Sequence, residues 1–136
     1  MNNPKARHDN VFSESLAGET IVYDKLNHRS HTLNQTAAAV WESADGSKSI
    51  DELARILELD LGIPAERAVV LLALSQLEDA GLLERGAEME PVEPGASRRE
   101  MARRFALAGV SAALVPFVAS VLAPTPAMAQ SIPLPY

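Results

Sequence analysis

The chain has 136 residues, no cysteine and a formal charge of −6. Its length allows one domain with appendages, and the missing cysteines exclude disulfides, thiol catalysis, cysteine-ligated zinc and iron–sulfur clusters. Residues 1–90 carry 8 Lys/Arg against 16 Asp/Glu while 91–136 carry four Arg and two Glu, so the first two thirds form an acidic body that does not attract phosphate backbones.

Residues 1–10 are polar and read as a loose terminus. Residues 11–15 and 19–24 read as two strands around the turn Ala17-Gly18, the second rich in β-branched and aromatic side chains (Ile21-Val22-Tyr23). After a polar turn at 25–29, residues 30–33 read as a third strand. Asn34 then offers an N-cap to a short helix over 35–44, with Trp41, the only tryptophan, on its apolar side. Asp45-Gly46 is turn chemistry that stops this helix.

Ser49 with Glu52 three positions later is a capping box, and Ile50, Leu53, Ala54, Leu57 and Leu61 recur at helical spacing behind it. Gly62 closes that helix. Pro64 suits the first position of a third helix over 65–80, whose apolar residues Val69, Val70, Ala73, Leu74 and Leu77 make a wide stripe. Gly81 ends it, and Leu82-Leu83 leave it as a short strand. Residues 88–97, with Pro91, Pro94 and Gly95 among charges, read as a linker.

Leu33-Asn34, Trp41, Asp45-Gly46, Leu53-Ala54 and Gly81-Leu82-Leu83, in this order and spacing, resemble the PqqD-like family of peptide-binding modules, the recognition elements of ribosomal peptide-modifying systems. The resemblance covers roughly residues 11–85. It implies an α+β, winged-helix-like domain over 11–87, with three amino-terminal strands, three helices and a short terminal strand.

It also implies a site. A leader peptide is expected to dock as an added strand beside the third strand, at Ser30, His31, Thr32 and Leu33, because an exposed strand edge offers unpaired N–H and C=O groups. Its side chains would enter a groove lined by the third helix at Arg67, Val70, Leu71 and Leu74, with Arg67 pairing an acidic leader residue. Plain packing is the competing explanation of the surplus aliphatics on that helix. The expectation fails if that edge is sealed by the chain's own residues with no opening.

Catalytic chemistry finds little support. The histidines are His8, His28 and His31; His28-x-x-His31 has no third metal ligand at suitable spacing, no serine sits in a nucleophile elbow, and no phosphate-binding or dinucleotide glycine pattern is present. No enzyme activity, cofactor or metal is expected. DNA binding is disfavoured because the third helix carries Arg67 alone against Glu66, Glu78 and Asp79.

Residues 105–136 contain no charge. As a helix, residues 105–123 would be about 28 Å long, close to a bilayer core of about 30 Å. Arg98, Arg99, Arg103 and Arg104 precede this run and Ala127-Met128-Ala129 follows it, the parts of an export signal, although such signals normally begin a chain. Three readings stay open: a membrane anchor with its arginines on the inner side, a processed signal cut after Ala129, and a tail that folds against its own domain or is a peptide substrate fused to its recogniser.

The resulting organisation is a flexible start (1–10), the peptide-binding domain (11–87), the linker (88–97), a basic flank with a transmembrane or signal-like apolar helix (98–123) and a proline-rich uncharged tail (124–136). The expected function is a non-catalytic adaptor that captures the leader of a ribosomally made precursor peptide and presents it to a modifying enzyme. Its domain is expected in the cytoplasm, tethered to the inner membrane through 105–123. The alternative is a membrane-tethered interaction or regulatory protein of winged-helix type, without a role in peptide maturation.

Overall fold

The computed structural model describes residues 3–84 and 98–122. The chain order is β1 (Val11–Leu16), β2 (Glu19–Asp24), β3 (Arg29–Leu33), α1 (Gln35–Ser43), α2 (Ile50–Leu61), α3 (Arg67–Asp79), α4 (Arg98–Leu107), a 3-10 turn at Ala112–Leu114, and β4 (Val118–Leu122). The strands form one antiparallel sheet in the order β1-β2-β3-β4.

Local sequence explains the first half. Ala17 and Gly18 both take positive φ (50° and 84°), the backbone of a tight two-residue hairpin whose twist matches its strands. β2 alternates: Thr20, Val22 and Asp24 are buried, and Glu19 and Ile21 are exposed, so one face of the sheet lies on the helices. Asn34 caps α1 through its side chain, and the Ser49–Glu52 capping box is complete in both directions. Trp41 lies in the core, its Nε1–H donating to the Leu82 carbonyl at 3.1 Å.

Four expectations need correction. Residues 4–7 are not loose. Ala6 is buried and donates to the Ala44 carbonyl at 2.7 Å, the amide of Arg7 donates to Leu82 at 2.8 Å, and that of Glu84 donates to Lys5 at 2.8 Å. This stretch is therefore stitched between the end of α1 and the chain after α3. Leu82-Leu83 accordingly form no strand of the sheet; Leu83 makes a single antiparallel bridge with Ala6. The third helix begins at Arg67, after Pro64: the amide of Glu66 donates to the Pro64 carbonyl at 2.8 Å and Glu66 stays extended (φ −110°, ψ 134°).

The fourth correction concerns the apolar run. It forms no continuous helix over 105–122. α4 stops at Leu107, Gly109 takes φ +76°, and the amide of Val110 reaches back to the Phe105 carbonyl at 2.8 Å, a helix ending that favours glycine. Pro116 lacks the amide a helix needs, and Val115, Val118 and Val121 suit extended backbone. Among the described residues, no helix is long and apolar enough to cross a membrane. The linker at 88–97, Ala127-Met128-Ala129 and the tail at 124–136 lie outside the described residues.

The run instead completes the core. Met101, Phe105 and Val115 are buried in the same cluster as Val22, Leu33, Trp41, Val70, Leu74 and Leu77, with Leu114 and Val118 packed against it. Of the three readings of the tail, folding against its own domain describes residues 98–122.

Candidate functional site

The outer edge of β3 is not open. Residues 118–122 of the same chain lie along it as β4, antiparallel, with five facing pairs from Leu33–Val118 to Arg29–Leu122. The amide of Asn34 donates to the Phe117 carbonyl at 3.0 Å. Because antiparallel ladders alternate bonded and unbonded pairs, the backbones of Thr32 and Ser30 are those that face Ala119 and Val121 with their N–H and C=O groups.

Side chains at the start of this ladder grip the backbone that enters it. The Asn34 carboxamide is fully used. Its oxygen accepts from the amides of Ala37 (3.0 Å) and Phe117 (3.1 Å), and its nitrogen donates to the carbonyls of Val115 (2.6 Å) and Ala113 (3.2 Å). Thr36, buried at the start of α1, donates its hydroxyl to the Leu114 carbonyl. Gln76 reaches from α3: its Nε2 donates to the Pro116 carbonyl at 2.8 Å, and its Oε1 accepts from the Val118 amide at 2.8 Å. That amide points away from β3, so Gln76 satisfies a donor the ladder leaves unpaired.

Arg98, at the start of α4, adds a fourth grip. Its guanidinium donates to the carbonyls of Pro116 (3.2 Å) and Val115 (3.3 Å) and lies over the Phe117 ring, 4.6 Å from its centre. All these contacts except the last are to backbone atoms, those of Asn34 and Thr36 with Ala113 and Leu114 on the 3-10 turn and those of Gln76 on the extended chain that follows it.

Ser30 and Thr32 are half-buried on the outer face of β3, whereas His31 and Leu33 are buried on the core face. His31 Nδ1 pairs with Ser120 Oγ at 2.6 Å, and its Nε2 is buried with no hydrogen-bond partner among the described residues. Burial holds the imidazole pKa below its ordinary value; Asp24 opposes that shift, and Arg29 and Arg7 add to it. Val70 and Leu74 are fully buried in the core and Leu71 nearly so, so none of them lines an open pocket. Arg67 sits at the first residue of α3 and bonds Asp51 of α2 at 3.0 Å.

Asn34, Thr36, Gln76 and Arg98 thus join the expected edge residues. Asn34 is legible in the sequence only as a cap. Gln76 is one polar residue on a helix defined by its aliphatics, and Arg98 reads as a basic flank, so neither carries a pattern pointing to a strand.

Beneath the sheet, Asp24 is fully buried and accepts from Arg7 at 2.9 Å through each oxygen, with Leu26, Asn27 and the Asn27 side chain as further donors. The Arg7 hydrogen bonds above all hold its carboxyl well below the usual carboxylate range. This is a structural ion pair that closes the β2–β3 turn. Among the described residues no cluster of His, Asp and Glu is placed to hold a metal ion.

The site is thus a small antiparallel sheet whose third strand pairs with an extended segment of the same chain, held largely through its backbone. Residues 19–83, from β2 to the bridge after α3, match the family model for coenzyme PQQ synthesis protein D (PqqD), so the chain carries a PqqD-like segment there. That family suggests a peptide-binding partner protein of peptide-modification systems. No curated protein and no solved structure matches the chain.

Proposed function

We propose that the PqqD-like segment binds the leader of a ribosomally made precursor peptide by strand addition to β3 and presents it to a modifying enzyme. The observation that supports this most directly is the pairing of β3 with an extended segment over five positions, beyond which Asn34 and Gln76 grip the incoming backbone. Main-chain bonds give such a site affinity, and pockets for alternate side chains give it selectivity. In this reading Ser30 and Thr32 supply the ladder, His31 and Leu33 close the core beneath it, and Val70, Leu71 and Leu74 form the apolar floor under alternate ligand side chains. Arg67, beside Asp51, is the candidate partner of an acidic leader residue.

The test is a titration of the isotope-labelled full chain with leader peptides of precursors encoded in its own genome, read by amide NMR. Shifts concentrated at Ser30, Thr32, Asn34 and Gln76 are expected. Binding whose shifts fall instead on the free edge of β1 would show a different docking surface and defeat the proposal.

A further inference from the structure

Residues 118–122 occupy the edge that the proposed function assigns to a partner peptide. We infer that this segment is the module's own ligand in cis, and that the chain takes a second extended peptide, uncharged over the five positions that pair with β3, only by exchanging it for β4. The inference rests on the strand-addition reading and adds to it the class of peptide and the control of access.

Three observations carry it. First, what holds β4 itself is mostly main-chain pairing and a side-chain grip on backbone: the ladder to β3 and Gln76 on the Val118 amide. Such contacts are available to any extended chain of suitable sterics. Second, β4 buries little of itself. Val118 is half-buried while Val121 and Leu122 are 64% and 66% exposed, so peeling the strand away forfeits little of β4's own apolar burial.

Third, the anchors of the tail lie upstream of the strand. Met101, Phe105 and Val115 are each at most 1% exposed, so β4 can leave while α4 and the turn before it stay docked. The segment stands at an effective concentration on the order of mM, as a short tether provides, and a free peptide must compete with that.

The ligand chemistry follows from the strand itself. Residues 105–122 contain no charge, and the side chain facing buried His31 is the hydroxyl of Ser120. A charged residue at that register would give up part of its hydration beside the buried imidazole.

The experiment uses the full chain and a fluorescent synthetic peptide of residues 116–122. Ala119→Pro removes a ladder donor from β4 at an exposed position and leaves the core anchors in place. Arg29→Cys with Leu122→Cys locks the strand: this facing pair lies at an unbonded register, where Cα atoms are about 4.5 Å apart, within disulfide reach, and the natural chain has no other cysteine to interfere. Expected are at least tenfold tighter peptide binding by the proline variant than by the natural chain, and loss of binding by the oxidised double-cysteine chain with recovery on reduction. Equal affinity of all forms overturns the exchange while leaving a peptide site elsewhere intact. No binding by the proline variant or the reduced chain, both still folded by their tryptophan emission, overturns strand addition itself and the inference with it.

Discussion

Asn34 and Phe117 hold each other twice. The amide of Asn34 donates to the Phe117 carbonyl at 3.0 Å, and the amide of Phe117 donates to the Asn34 side-chain oxygen at 3.1 Å. One residue thereby ends β3, caps α1 and fixes the entry of the added strand.

Asn34→Asp separates those duties. The aspartate keeps the acceptor that caps α1, loses both donors to the carbonyls of Val115 and Ala113, and turns negative charge toward those oxygens. Docking of residues 113–118 should weaken by about 1–3 kcal/mol while α1 stays formed. Hydrogen exchange at the Phe117 and Val118 amides is expected to rise roughly ten- to hundredfold, with the Val40 and Trp41 amides unchanged.

Thr32→Pro removes the β3 donor that faces Ala119. Loss of one ladder bond should weaken strand docking by about 1 kcal/mol or more. The readout is affinity for the 116–122 peptide in the Ala119→Pro background. Unchanged affinity in a folded chain would place the peptide away from β3.

Phe105→Ala tests whether the tail belongs to the core. Phe105 has no exposed surface, and truncating a buried phenylalanine costs about 3–5 kcal/mol. The denaturation midpoint followed by Trp41 fluorescence is expected to fall accordingly. A midpoint equal to that of the natural chain would mean that the domain closes without residues 98–122.

Acid should act in two stages. His31 is depressed below its ordinary value of 6.5, so below that pH the unfolded chain takes up a proton that the folded chain resists, and stability starts to fall. Asp24 is depressed below 3.8; its contribution is complete above that value and is lost as pH falls further. Melting temperature against pH should be flat above about 6.5. His31→Gln is expected to remove the first decline and Asp24→Asn the second. At neutral pH Asp24→Asn should cost about 3 kcal/mol, near the low end for breaking a buried pair, because asparagine keeps an acceptor for the turn amides of Leu26 and Asn27.

Much of the fold is legible because its determinants are local. The Ala17-Gly18 hairpin, the Ser49–Glu52 box and the apolar spacing of Leu53, Ala54 and Leu57 each involve residues within a few positions of one another, and each forms as the sequence predicts. What escapes is non-local. Ala6 carries no sign that it bridges to Leu83, and a run such as Val115 to Leu122 satisfies a short helix or a strand equally until a partner edge is supplied. Length and hydropathy therefore suggest a bilayer helix, although Gly109 and Pro116 already mark where one would break. Ser30 to Leu33 are legible as a strand because their pattern is local, whereas the contacts of Gln76 and Arg98 are not, because a side chain that grips backbone selects no particular sequence partner.

The burial of Phe105 and Val115 against Val70 and Leu74 bears on how the protein is made. A ribosome delivers the helices and the first three strands early, yet their oily interior stays unsealed until synthesis has run past residue 115. Until then the nascent chain is a half-built shell, and whatever meets it in that interval, a chaperone or a targeting receptor, meets the apolar run as bare sequence, before it has become part of a sheet.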